Sequence, residues 1–266
     1  MPKIAAPLLL LSLLVVAMPH AQAQGTEITL ISSKDNTLYE DPSGALSNGA
    51  GTRMFTGVTL QPNLRRALVA FDLSAIPPDS VIVEATLTLE QVMTVAGPQT
   101  VSLHRVLKDW GEGNSTAQGG QGAGGPAGAG DATWLHTAYD TEFWDDSGGD
   151  YVGSPSASTL VEGSGQYQWT DITMTDDVQD WVLDPSSNFG WIVIGNEGAP
   201  GNAKTFSTRE AAEGQPTLTV VYIPNTGCDG GACVPAVSTW GAIALALILL
   251  TFGIAAMRRR NLPEAR

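Results

Sequence analysis

The sequence predicts an all-β fold, an antiparallel β-sandwich or jelly roll with one short helix, plus an N-terminal signal peptide and one C-terminal transmembrane helix. Three observations predict it. Apolar and polar residues alternate with period two in several short runs. Gly/Pro-rich clusters punctuate those runs. Long uncharged apolar stretches occur at the two ends of the chain.

Residues 1–23 read as the signal peptide. Lys3 precedes an apolar run from Leu8 to Met18, and Ala21-Gln22-Ala23 supplies an A-x-A cleavage pattern. Residues 24–224 form the exported body, about two hundred residues, enough for one sizeable core. Its first turn cluster is "DPSGALSNGAG", Asp41 to Gly51. "LRRALVAFDLSAIP", Leu64 to Pro77, then carries two adjacent arginines into a strand. In "VIVEATLTLE", Val81, Val83, Ala85, Leu87 and Leu89 alternate with Ile82, Glu84, Thr86, Thr88 and Glu90, which predicts a half-buried strand.

"TVSLHRV", "FGWIVIG" and "PTLTVVY" repeat that pattern more briefly, the last with Leu218, Val220 and Tyr222 on one face. Gly111 to Gly130 is low-complexity and is expected to be a mobile loop; Asp145 to Gly165 is a second polar excursion. The helix is expected in "TMTDDVQDWVLDP", with Thr175 as N-cap, Val178, Trp181 and Val182 on one face, and Asp184-Pro185 as its end.

Residues 225–239 form a linker in which Cys228 and Cys233 are expected to close a small disulfide loop, since no histidine lies near to complete a metal site. Residues 240–257 are uncharged and long enough to cross a bilayer, and the basic tail 258–266 opens with Arg258 to Arg260, which favours retention on the cytoplasmic side. The body is therefore expected outside the cytoplasm, anchored in the inner membrane or released to the surface. The whole chain has a formal net charge of −14, and the body, without Lys3 and the basic tail, is more acidic still, which excludes the basic stripe that nucleic-acid binding needs.

The segment "VPAVSTWGAIALALILLTFGIAAMRRR" resembles the IPTL-type C-terminal sorting signals of Gram-negative bacteria, although its first four residues read V-P-A-V. The resemblance implies surface sorting, with a membrane peptidase as partner. The body resembles the DNRLRE-domain proteins, an extracellular family classed with carbohydrate-binding modules. The pieces that carry it are "KDNTLYEDPSGALSNGAG", then Arg66, Leu68, Phe71 and Asp72 in "RRALVAFDLSAIP", and "VEATLTLEQV". They continue with Trp110 and Glu112 in "WGEG", Thr133-Trp134, "WTDIT" and "FSTREAAEGQPTLTVVY". What this implies is a jelly roll and a polysaccharide partner, with acidic glycans favoured.

Candidate residues follow from side-chain chemistry. Alternation puts Arg65 and Arg66 on opposite faces. Arg66 is expected in a structural ion pair with Asp72, Glu210 or another of the many carboxylates, and Arg209 in one with Glu210, because a buried charge needs a partner. Arg65 is the arginine left for solvent or ligand. Trp110, Trp134, Tyr139, Trp144 and Tyr151 lie in or beside loops, where flat rings can stack on sugars. Asp140, Asp145, Asp146 and Asp150 form an oxygen-rich loop of the kind that holds calcium, with an acidic surface loop as the alternative; no other cofactor is expected. The two histidines of the body, His104 and His136, sit in no nucleophile or zinc pattern, so a non-catalytic role is expected. The rival readings are a structural or adhesion protein of the surface matrix and, third, a polysaccharide-degrading enzyme.

Overall fold

A computed structural model describes residues 25–60 and 62–225. The signal peptide, the Cys228–Cys233 pair, the sorting motif, the span and the basic tail lie outside the described residues. Among the described residues no helix is long and apolar enough to cross a membrane.

The body is mostly β. Its strands in chain order are β1 (Thr26–Ile31), β2 (Lys34–Tyr39), β3 (Leu46–Ser47), β4 (Arg53–Val58), β5 (Leu64–Ala70), β6 (Val81–Met93), β7 (Gln99–Arg105) and β8 (Gly125–Pro126). They continue as β9 (His136–Ala138), β10 (Glu142–Phe143), β11 (Ala157–Val161), β12 (Gly165–Trp169), β13 (Trp191–Ile194), β14 (Lys204–Ser207) and β15 (Thr217–Ile223). Eleven of them form one curled antiparallel sheet in the order β1-β15-β6-β14-β4-β5-β13-β7-β11, with β12 also on β6 and β2 also on β5. The curl turns at β4, which pairs along β14 and then, at Gly57 and Val58, with β5. Two facing, sandwich-like halves result.

The core between the halves explains the period-two runs. Leu87 and Leu89 of β6, Leu218, Val220 and Tyr222 of β15, and Phe206 meet Ala67, Val69, Val101, Leu103, Trp191 and Val193 from the opposite half. Trp191 lies 4.6 Å from Trp181, ring centre to ring centre, and Trp169 packs edge-on against Phe206. β5 and β13 are buried on their other face as well. There Leu68, Ala70 and Ile192 lie under Trp110, Trp134 and Trp144, which come from the segment between β7 and β11.

Three local expectations are corrected. The alternation of β6 changes phase near its start: Val81 and Val83 are exposed and Ile82 is buried. A β-bulge opposite Val221 and Tyr222 leaves Val83 as an extra residue, which flips the side chains before it. The helix α1 (Ile172–Leu183) begins a turn earlier than expected, capped by Asp171, whose carboxylate accepts from the Thr173 N–H at 2.9 Å. Thr175 is inside it; Met174, Val178, Trp181 and Val182 face the core, and Asp184 ends it.

Gly111 to Gly130 is packed. The Asp131 carboxylate accepts from Gly128 N–H at 2.6 Å, Asn48 Oδ1 from Ala117 N–H at 2.7 Å, and Gln121 C=O from the Tyr39 hydroxyl at 3.0 Å. β8, within it, pairs with β3.

Candidate functional site

Two polar constellations stand out, and both grow from the arginines and the loop layer. The first is a cleft of about 550 Å³ lined by Arg66, Leu107, Asp145, Asp146, Gly149 and Tyr151, with Ser147 and Asp150 completing it. Arg66 projects from β5 into this layer, where its guanidinium stacks between the rings of Trp134 and Tyr151, 5.1 and 5.4 Å from their centroids. It donates from Nε and Nη2 to Glu197 at 2.7 and 3.0 Å, and from Nη1 to the Gly148 carbonyl at 2.9 Å. Burial works against the Arg66 charge, and the Glu197 bonds outweigh it, so its pKa is raised further. Arg66 thus forms the expected ion pair, with Glu197 as its carboxylate and not the named candidates Asp72 or Glu210. Asp72 accepts from the Ser74 N–H at a turn, which lowers its pKa.

The 145–150 loop is organised by its own backbone. Asp150 accepts from the N–H groups of Asp145 and Asp146, each at 2.9 Å, and Lys108 Nζ reaches Asp145 at 2.6 Å and Asp150 at 3.5 Å. Asp140 lies apart from the cleft lining, at the β9–β10 turn with a positive φ of 61°. Three of the four carboxylates expected around calcium therefore line the cleft; Lys108 pairs with Asp145 and Asp150, and Asp146 is exposed.

Of the expected sugar platforms, Trp110, Trp134 and Trp144 are buried, at 3, 8 and 6 % exposure. Two of their indole N–H groups are engaged: Trp110 donates to Phe189 C=O and Trp144 to Thr133 C=O. They form the second apolar cluster, because a sheet buried on both faces needs a cover as large as its own side chains. Tyr139 is half-buried against His136. Tyr151, also half-buried, is the ring that reaches the cleft.

Arg65 is corrected too. It is 4 % exposed, stacks over Tyr39, and donates to the carbonyls of Gly122 at 3.1 Å and Leu64 at 2.7 Å. Burial lowers its pKa. It borders a more apolar cleft of about 400 Å³ that includes Leu60, Met93 and Val95. The alternation of Arg65 and Arg66 holds, but covering layers exist on both sides.

The second constellation joins three distant segments: Asp35 on β2, Glu112 after β7, and Arg209-Glu210 after β14. Arg209 forms a fork on Glu112, Nε to Oε1 at 2.7 Å and Nη2 to Oε2 at 2.5 Å, and its Nε lies 3.1 Å from Glu210 Oε1. Glu112 Oε1 also accepts from Asp35 N–H at 2.9 Å. Asp35 Oδ2 accepts from Ser32 Oγ at 3.1 Å and from Arg209 N–H at 2.9 Å. Burial, followed by the nearby Glu210 and Glu112 charges, outweighs these bonds and pushes Asp35 up to about 7. Burial raises Glu210 as well. Oxygens of Asp35, Glu112 and Glu210 lie within 4.8 Å of one another.

The remaining chemistry is sparse. His104 bonds to Ser102 Oγ and the Val152 carbonyl, and His136 to Thr133 Oγ1. Compared with known proteins, no family model matches the chain and no curated protein matches it significantly.

Proposed function

We propose that this chain is an exported, surface-sorted, non-catalytic carbohydrate-binding module of jelly-roll type, as its resemblance to DNRLRE-domain proteins implies. The observation that carries the reading is the Arg66–Tyr151 cleft. Carboxylates of Asp145 and Asp146, the Ser147 hydroxyl and a tyrosine ring are the groups that grip sugar hydroxyls and a sugar's apolar face. Its volume of about 550 Å³ falls in the range of small-ligand sites.

The charge of the lining refines the ligand class. Arg66 is neutralised by Glu197, so three aspartates set the field of the cleft against one lysine at its edge. Uronates would meet like charge there. A neutral polysaccharide is the favoured ligand, in place of the acidic glycan that the resemblance alone implies.

Affinity electrophoresis of the full chain in non-ionic detergent, against neutral and uronic-acid polysaccharides, tests this. The expected result is retardation in a neutral-glycan gel, weakened about tenfold in Tyr151→Ala and in the exposed Asp146→Ala. Equal mobility in every gel rejects the module reading.

The second reading is a structural or adhesion role in the surface matrix. It rests on the burial of all six tryptophans among the described residues, which leaves a surface without indole platforms.

A further inference from the structure

From the second constellation we infer that Asp35, Glu112 and Glu210 hold a divalent cation of the calcium class, which clips the first strands, the loop layer and the last hairpin together. Asp35 is 1 % exposed, and its Oδ1 has no hydrogen-bond partner; Glu210 Oε2 is likewise buried without one. Two orphaned carboxylate oxygens in one buried cluster are costly unless something positive sits between them. Arg209 is committed to Glu112 and the Oε1 side of Glu210, so it does not fill that role.

Charge and donor chemistry select the ion. Three ionised carboxylates against the single Arg209 guanidinium leave two negative charges, which one divalent cation cancels. All three donors are hard carboxylate oxygens with no thiolate or imidazole among them, which suits calcium over zinc. The three oxygens lie within 4.8 Å of one another, close enough for one ion to reach all three. This cluster is distinct from the 145–150 loop, where Lys108 pairs with Asp145 and Asp150.

The test uses the full chain in non-ionic detergent, stripped with a chelator and titrated with calcium chloride by calorimetry and thermal melting. The expected result is one calcium per chain and a melting midpoint roughly 5–10 °C higher when calcium exceeds its dissociation constant about a hundredfold. Asp35→Asn and Glu210→Gln keep the shape and remove a charge. Each is expected to fold, as far-ultraviolet dichroism reports, and to lose both the binding heat and the calcium-dependent shift. Asp146→Asn is expected to retain both. Identical melting in calcium and chelator overturns the inference. So does calcium binding that survives in both cluster variants, or that disappears in Asp146→Asn.

Discussion

At the scale of single residues, burial decides what each charge does. Asp177 illustrates it on the inner face of α1. Its Oδ2 accepts from the Trp191 indole N–H at 2.9 Å, Arg105 stands 3.7 Å from Oδ1, and burial raises its pKa above the ordinary 3.8. The folded state therefore holds a proton there that the unfolded chain has released. The resulting stabilisation is fully present below pH 3.8 and is lost as pH rises through the folded pKa. Asp177→Asn keeps an acceptor for Trp191 and abolishes the titration. The variant is expected to be more stable than wild type at pH 7, with the gap closing toward pH 3.5, in urea melts across that range. A wild-type advantage at pH 7 would show that the Arg105 contact outweighs the desolvation of Asp177. The two opening arginines follow the same rule. Their alternation is readable from "LRRALVAF", but their remote partners, Glu197 for Arg66 and the Gly122 carbonyl for Arg65, lie across the fold and leave no local trace.

At the scale of elements, the glycine-rich segment between β7 and β9 shows composition and structure diverging. Many of its glycines are there for closeness. A Cβ on Gly111 would sit 1.9 Å from the Gly130 carbonyl oxygen, whereas one on Gly120 would meet nothing within 4 Å. Gly111→Ala is expected to cost about 3 kcal/mol, since backbone must move, and Gly120→Ala less than about 0.5 kcal/mol. Chemical denaturation of the two variants measures this, and equal stabilities would mean that the segment is a free loop. Low complexity gave the expectation of mobility because composition does not report close backbone approach. The helix was legible in its face and its end; its start was missed because Asp171 and Thr175 are both good caps, and the contacts of Met174 decide between them.

For the whole molecule, a sheet half buried on both faces unites the two apolar clusters. Trp169 lies between the halves, and Trp144 in the cover over β5 and β13. Because both clusters pack on the same strands, Trp169→Ala and Trp144→Ala are each expected to cost about 3–5 kcal/mol and to lower one shared melting transition by roughly 10 °C. Scanning calorimetry that splits the Trp144→Ala transition in two would show the cover to be an independent unit. This layering also explains why the loop tryptophans do not serve as platforms: they are the cover's contribution to the core.

The sequence by itself determined the all-β class, the inward residues of β15 and most of β6, the buried face of α1, and the strong acidity of the body. All of these depend on local periodicity and composition. The enclosure of Arg65 and of the loop tryptophans Trp110, Trp134 and Trp144 came from the fold, because a second covering layer has no period of its own. The tertiary structure alone brought Asp35, Glu112 and Glu210 together. Their segments were visible as "KDN", "WGE" and "TRE", yet 77 residues separate Asp35 from Glu112 and 174 separate it from Arg209. A carboxylate cluster is a property of distances, and distances between remote segments are set by the curl of the sheet.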